Sequence, residues 1–392
     1  MNLLNKVILI GNSDEFQFSM KLFPEMLVRL LEDRGVKTVL IRPKTLLGKL
    51  APWVGPLGKW LFYIDKFLLF PLHLKSVLRR EGGEGVIVHI CDHSNGMYLH
   101  ALANVPHVIT CHDMMPMRSA LGEIPQNPTS WTGKIFQRLI LKGLKTAQFV
   151  VCVSCATQRE FLRLANYPEE KTRIVYNSLN YPYTPMPASK AHGRVAALLG
   201  GNAPFLLHVG GDAWYKNRAG MLQMVAEVRR LLRAKGAGVL PRLIYTGPSL
   251  HRELAPLLEG DPEMERDVIA LQGVDNETLR ALYSAAELLL FPSWDEGFGW
   301  PIIEAQACGC RVVTTGKAPM TEVGGDAAFY VDPHQPLEAA GTVLAVLKQE
   351  PALRCERVEA GLANAARFKE EVMIEGYLEV YRQLIAAHKE AR

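Results

Sequence analysis

Two glutamates eight residues apart, Glu296 and Glu304, stand in the stretch FPSWDEGFGWPIIEAQACGCRVVTT (291–315), the segment best equipped for chemistry. Gly297, Phe298 and Gly299 follow the first glutamate, and Pro301 suits a first helical turn, so one carboxylate falls in a loop and the other on the helix behind it. Carboxylates accept pairs of hydroxyl hydrogen bonds, which suits the hydroxyls of sugars and riboses. Glycines let backbone N–H groups approach a ligand closely, and a helix start beside them favours an anion such as a diphosphate. Polyol recognition and anion recognition would therefore meet in one short segment.

Such a segment needs a scaffold that brings strand ends together. Short apolar runs at 6–10, 37–41, 86–90, 107–110 and 149–153 alternate with helix-length amphipathic stretches. A second series follows at 205–209, 242–246, 287–291 and 311–315. Continuous apolar runs of about five residues suit strands buried on both faces, and the alternation is that of parallel α/β sheets. The 392 residues, 48% apolar and 21% charged, agree with two globular domains and exclude a disordered chain or a disulfide scaffold. Pro182, Pro185, Pro187, Pro204 and the pair Gly200–Gly201 mark a linker over 181–203. The expected layout is a first domain over 1–180, a second over 204–370, and an amphipathic terminal helix over 371–392 that is a candidate to pack back on the first domain.

The 291–315 segment resembles the signature of the family 4 retaining glycosyltransferases, whose pair of glutamates with seven residues between them would be Glu296 and Glu304. The resemblance extends over most of the chain: HVGGDAWYKN (208–217), YTGP (245–248), QGVDNETLRALYSAAELLLFPS (272–293) and KAPMTEVGGDAAFYVDP (317–333) in the second half, TCHDMMP (110–116), VSCATQREF (153–161) and RIVYNSLN (173–180) in the first. It implies a GT-B fold, in which two Rossmann-like parallel-sheet domains face each other across a crevice. It also implies metal-independent transfer of a hexosyl group from a nucleoside-diphosphate sugar, with no cofactor. By the same resemblance Lys216 holds the diphosphate, His112 lies at the transferred sugar, and Gly247 and Val274 lie near the base. Glu296, His112 and Lys216 are then the catalytic candidates, with Glu304, Gly297, Phe298 and Gly299 lining the donor.

Three departures matter. Gly211 stands where the family has an arginine, so either Arg218 supplies the second positive charge or Lys216 acts alone with backbone N–H groups. Arg311 replaces a more usual proline before the next strand. The loop after the first strand, GNSDEFQFSMK (11–21), has only Gly11, leaving Gly11 and Asn12 as candidates on an acceptor side of its own shape.

Residues 42–80 carry eight Lys or Arg against one acid, Asp65, interleaved with Trp53, Trp60, Phe62, Tyr63, Phe67 and Phe70. Such a stretch is a candidate for peripheral contact with an anionic membrane, the alternative being that its apolar residues pack on the domain. A membrane reading would make the acceptor lipid-linked; otherwise a glycan acceptor fits. Net charge of +4 is too even to argue for nucleic acid. Seven cysteines in apolar runs read as buried thiols, Cys152 and Cys155 included, and the N-terminus lacks the pattern of a signal peptide, so a cytoplasmic protein is expected, peripheral on the inner membrane face if residues 42–80 touch lipid. The competing functions are phosphorolysis or sugar epimerisation on the same fold, and non-catalytic nucleotide-sugar binding. A nicotinamide-dependent dehydrogenase is set aside, because no G-x-G-x-x-G follows a strand.

Overall fold

The computed structural model describes residues 4–13, 18–49, 58–248, 252–258 and 261–390. The chain divides into two compact units, one formed by Met1–Asn180 with Glu370–Arg392, the other by Tyr181–Lys369. The first holds β1 (Lys6–Ile10), β2 (Lys37–Ile41), β3 (Val86–Ile90), β4 (His107–Cys111), β5 (Val150–Cys152) and β6 (Thr172–Ile174), all parallel, in the order β2-β1-β3-β4-β5-β6. The second holds β7 (Phe205–Val209), β8 (Arg242–Thr246), β9 (Val268–Leu271), β10 (Leu288–Phe291), β11 (Val312–Thr315) and β12 (Phe329–Val331), also parallel, in the order β12-β11-β10-β7-β8-β9. This is the α/β architecture expected, doubled.

The order of each sheet shows where the chain reverses its direction of winding. In the first unit it moves from β1 out to β2 and returns to β3 on the other side of β1. In the second it moves from β7 out through β8 and β9, then returns to β10. At such a reversal the loops leaving two adjacent strands diverge and leave a crevice at the carboxyl ends, the usual ligand position in open α/β sheets.

Each sheet is covered by apolar helix faces. In the second unit Met221, Leu222, Met224, Val225 and Val228 of helix Arg218–Ala234 pack with Ala339, Ala340 and Val343 of helix Pro336–Leu347 over Leu206, Leu243, Leu288 and Leu290. In the first unit the terminal helix Glu370–Glu390 buries Met373, Ile374, Tyr377, Leu378, Tyr381 and Ile385. His89 of β3 is wedged beneath it: its Nδ1 is 2.6 Å from the Tyr381 hydroxyl and its Nε2 2.8 Å from Thr110 Oγ1. Burial pushes that imidazole down to about 3, and an Arg29–Glu370 ion pair ties the helix start to helix Phe18–Glu32.

The linker expected over 181–203 is largely folded. Residues Ala188–Leu199 form a helix of the second unit, ended by Gly200 in the left-handed conformation at φ 68°. The helix is fastened by Arg194 to Thr278 Oγ1 at 2.9 Å, and the segment before it by the Met186 N–H to Ser284 Oγ at 3.0 Å. Ala191 and Val195 are buried. The prolines before the helix and Gly193 inside it disguise a segment whose alanines and leucines favour helix.

Of the basic aromatic segment, Pro52, Trp53 and Pro56 lie outside the described residues, as do the side chains of Lys59 and Trp60. Its described part runs through helix Gly58–Ile64, a π-helical turn Asp65–Leu69 and helix Phe70–Glu81. Tyr63 meets Phe136 at a tilt and Phe67 stacks on it, with ring centroids 4.5 and 5.1 Å apart, and Phe70 packs on Tyr98 at 4.7 Å. These three aromatics therefore pack within the unit. The Asp65 carboxylate accepts the backbone N–H groups of Leu46, Leu47 and Gly48 at 2.8–3.0 Å, tying the preceding loop to the helix.

Candidate active site

The second unit gathers most of the candidate residues at the winding reversal between β7 and β10. After β7 the chain makes a short 3-10 turn, Trp214–Lys216, and enters helix Arg218–Ala234 through Asn217 at φ 51°. The Asn217 side chain accepts from the Gly220 N–H at 3.1 Å and donates to the carbonyls of Pro292 and Pro333, pinning this turn to the loops after β10 and β12. The Trp294 N–H donates to the Tyr215 carbonyl at 2.8 Å, a second stitch between the two loops.

Lys216 and Glu296 meet across this seam. Lys216 Nζ lies 2.6 Å from Glu296 Oε1, with the side chains 11% and 8% exposed. The ammonium also sits 4.7 Å from the Phe291 ring centroid, a cation–π position. Gly210 lets the lysine stem pass close by, since a Cβ there would stand 3.2 Å from its Cδ. Behind the pair is His208, whose Nδ1–H donates to the Leu290 carbonyl at 2.9 Å. Burial, with Lys216 and Arg218 nearby, pushes His208 down to about 4.

Arg218 has a different place. Its guanidinium donates to the carbonyls of Pro248 and Gly210 at 3.0 and 3.2 Å and stacks over Tyr245, and burial lowers its pKa below the ordinary value. It joins the ends of β7 and β8 through backbone. Gly247, at φ 138°, packs against the same spot, where a Cβ would meet the Gly210 carbonyl oxygen at 2.5 Å. Around Gly211 nothing lies within 4 Å of a Cβ position, so the missing arginine leaves open space. Val274 lies half-buried between β9 and helix Asn276–Ala285.

The loop from Glu296 to Gly299 leads into helix Trp300–Ala307. Gly299 caps it at φ 101° with no side-chain cap; its carbonyl accepts the Ile302 N–H at 3.0 Å, and Pro301 has no N–H to donate. Phe298 is buried and meets Trp300 and Phe368 edge-on. Glu304 is 4% exposed, and its Oε2 accepts the Tyr283 hydroxyl at 2.8 Å. Burial and the Glu304 charge hold the Tyr283 phenol well above its usual range, so it is a fixed donor. Nothing in the spacing of the glutamates points to Tyr283; only the packing of helix Asn276–Ala285 beside Trp300–Ala307 reveals it.

The first unit has its own polar cluster at the reversal between β1 and β3. Asn12 Nδ2 donates to Asp92 Oδ2 at 2.5 Å and Asn95 Nδ2 donates to Asn12 Oδ1 at 2.5 Å. Asp92 also accepts the Ser94 N–H at 2.6 Å. Gly11 precedes this cluster, packed so that a Cβ would lie 3.4 Å from Arg42 and Pro24. His112, just after β4, donates Nε2–H to the Cys91 carbonyl at 2.8 Å and is met edge-on by Phe23 at 4.7 Å. Burial lowers its pKa, opposed by Asp92, so the imidazole is neutral and presents Nδ1 as an acceptor. Asp92 and Asn95 escaped the sequence reading because they lie on no recognisable motif.

Comparison with known proteins identifies the pattern. Residues 25–181 match Glycosyltransferase Family 4, and residues 203–349 match Glycosyl transferases group 1. The chain is 27% identical over 254 residues to O-antigen chain mannosyltransferase B of Escherichia coli, covering 64% of this chain and 65% of that protein. It is 34% identical over 155 residues to a D-inositol 3-phosphate glycosyltransferase of Acidothermus cellulolyticus, 38% of this chain and 34% of the relative. The chain thus spans under two thirds of the length of either. A solved sucrose-phosphate synthase from Thermosynechococcus elongatus superposes with a TM-score of 0.73 at 20% identity, over 98% of this chain and 100% of that one. With both sheets, both family matches and the Glu296–Glu304 segment in agreement, the chain belongs to the family 4 glycosyltransferases, of GT-B fold.

Proposed function

We propose that this protein is a retaining glycosyltransferase that moves a hexosyl group from a nucleoside-diphosphate sugar to a hydroxyl of a glycan or lipid-linked saccharide. The observation that carries the reading is the Lys216–Glu296 pair at 2.6 Å at the winding reversal of the second unit, on the loop that leads into helix Trp300–Ala307. An ammonium suits a departing diphosphate, and a carboxylate beside it suits sugar hydroxyls. Glu304, held by Tyr283, is assigned to the ribose hydroxyls, with Gly247 and Val274 near the base. The first unit takes the acceptor, with Gly11 and Asn12 on that side and His112 at the transferred sugar.

In the proposed step the bond from the anomeric carbon to the diphosphate oxygen breaks. The acceptor oxygen bonds to the same face of that carbon, and its proton passes to the departing diphosphate. Lys216 stabilises the charge developing on the diphosphate, and Glu296 orients the sugar, so neither a covalent nucleophile nor a metal is required. The protein acts in the cytoplasm.

The test is a thermal-shift screen against UDP, GDP, ADP and their sugars, in which a ligand at 100 times its Kd stabilises by ~2.7 kcal/mol. One nucleotide series stabilises the protein, Lys216→Ala abolishes the shift, and the product made with EDTA present keeps the donor's anomeric configuration by NMR. No shift with any nucleotide overturns the reading; turnover that requires inorganic phosphate replaces it with phosphorolysis.

A further inference from the structure

Two helices of the first unit carry exposed stripes that its core does not use. Along residues 58–81, Ile64, Leu68, Leu72, Lys75 and Arg79 recur at helical spacing and are all exposed, Leu68 at 59% and Leu72 at 58%. Their neighbours Tyr63, Phe67, Phe70 and Leu74 face the unit. On helix Trp131–Leu144, Trp131 is 76% exposed, and Lys134, Arg138, Leu139 and Lys142 are exposed along the side away from buried Ile140, Gly143 and Leu144. Phe136 joins the two helices by packing against Tyr63 and Phe67.

The charge on these helices has one sign. Helix Trp131–Leu144 contains no acid. Asp65 is buried on the loop N–H groups, and Glu81 is taken by Lys6 and Arg80. Among the described residues none of Lys75, Arg79, Lys134, Arg138 and Lys142 has a carboxylate partner. Exposed Leu, Ile and Trp flanked by unneutralised Lys and Arg match a surface that is apolar below and anionic above, namely a bilayer of acidic lipid. A protein partner with an apolar patch would match the leucines but leave the cations unanswered.

We propose that the exposed faces of residues 58–81 and of helix Trp131–Leu144 dock this protein on an anionic membrane. Leu68, Leu72 and Trp131 enter the headgroup region while Lys75, Arg79, Lys134, Arg138 and Lys142 meet lipid phosphates. The aromatic rings Tyr63, Phe67 and Phe70 hold the two helices to the unit and take no part in docking. A helix that lies far from 42–80 in sequence, 131–144, thereby supplies half the surface.

Co-sedimentation of the full chain with vesicles of phosphatidylglycerol and phosphatidylcholine tests this, with pure phosphatidylcholine as the comparison. It requires no turnover and reads independently of glycosyl transfer. The protein binds the acidic vesicles, binds the neutral ones far less, and releases as salt rises. Arg138→Ala with Lys142→Ala lowers the partition coefficient about 30-fold, at ~1 kcal/mol for each basic side chain. Leu68→Asp with Leu72→Asp abolishes binding while the melting temperature and circular dichroism stay at wild-type values. Absence of binding to acidic vesicles overturns the proposal, as does undiminished binding by the leucine variant. A dimer in light scattering that the leucine variant dissociates would assign the surface to a second copy instead.

Discussion

Whether Lys216 and Glu296 act as one unit is open to a thermodynamic cycle. At an effective dielectric of ~20, two unit charges 2.6 Å apart attract by about 6 kcal/mol. Desolvating both side chains, which are 11% and 8% exposed, returns a good part of this, leaving a coupling of about 2–3 kcal/mol. Lys216→Met strands a nearly buried carboxylate, and Glu296→Gln strands an ammonium left over the Tyr215 and Phe291 rings. Each single change should cost about 3 kcal/mol, whereas the double variant should cost about 3–4 kcal/mol rather than 6. Urea unfolding followed by the fluorescence of Trp214, Trp294 and Trp300, all in the same unit, measures the cycle. The two variants should then part company with nucleotide present. Lys216→Met loses nucleotide binding, while Glu296→Gln binds at least as tightly as wild type, because Lys216 no longer has to leave a carboxylate, and loses kcat. Single costs that add to within about 0.5 kcal/mol in the double variant would refute the pairing, and equal loss of nucleotide affinity in both variants would refute the division of roles.

Three further outcomes follow from particular contacts. Tyr283→Phe removes the donor to buried Glu304, so it should cost about 1–3 kcal/mol and raise the donor KM with little change in kcat, measured by urea unfolding and initial rates. His208 is neutral in the fold, its pKa pushed from 6.5 down to about 4, so the unfolded chain takes up the proton first as pH falls. Stability from this group is full above about 6.5 and falls between there and about 4, by up to about 3 kcal/mol, and His208→Gln should flatten that slope in unfolding curves against pH. Tyr381→Phe breaks the contact with His89 beneath the terminal helix and should destabilise the first unit by about 1 kcal/mol or more, leaving nucleotide affinity in the second unit unchanged by calorimetry.

The strands that the sequence discloses are those buried on both faces. KVILI, VIVHI and FLLHV announce themselves as apolar runs because β1, β3 and β7 lie inside their sheets. β6, β9 and β12 stand at sheet edges, are short, and are only partly buried, so TRI, VIAL and FYV carry no run long enough to read. The helix at 188–199 was hidden by the prolines before it. In the site, residue types were legible but partners were not. The spacing of Glu296 and Glu304 puts one carboxylate on a loop and the other on a helix, but it does not reveal that the first salt-bridges a lysine or that the second is held by a buried tyrosine. Arg218, a candidate for phosphate, spends its guanidinium on the carbonyls of Gly210 and Pro248.

What no local pattern can carry is the distance along the chain over which the polar groups meet. Lys216 and Glu296 are 80 residues apart, and so are Asn12 and Asp92. Each pair spans the reversal of its sheet, where the chain has gone out on one side and come back on the other. The excursions differ: β2 and β3 lie between Asn12 and Asp92, with helix Phe18–Glu32 and the helical stretch 58–81, whereas β8, β9 and β10 lie between Lys216 and Glu296. Equal separation therefore does not reflect one repeated unit. It is sheet order that juxtaposes each pair, because only at the reversal do two neighbouring strands send their loops apart, and polar side chains from the two loops can meet there. In the second unit the groups so brought together are a cation and a carboxylate; in the first they are the amide–carboxylate chain Asn95–Asn12–Asp92, with the Arg42 side chain packed against Gly11. The lysine of the second unit's pair is the ground on which the donor's phosphates are proposed to bind there.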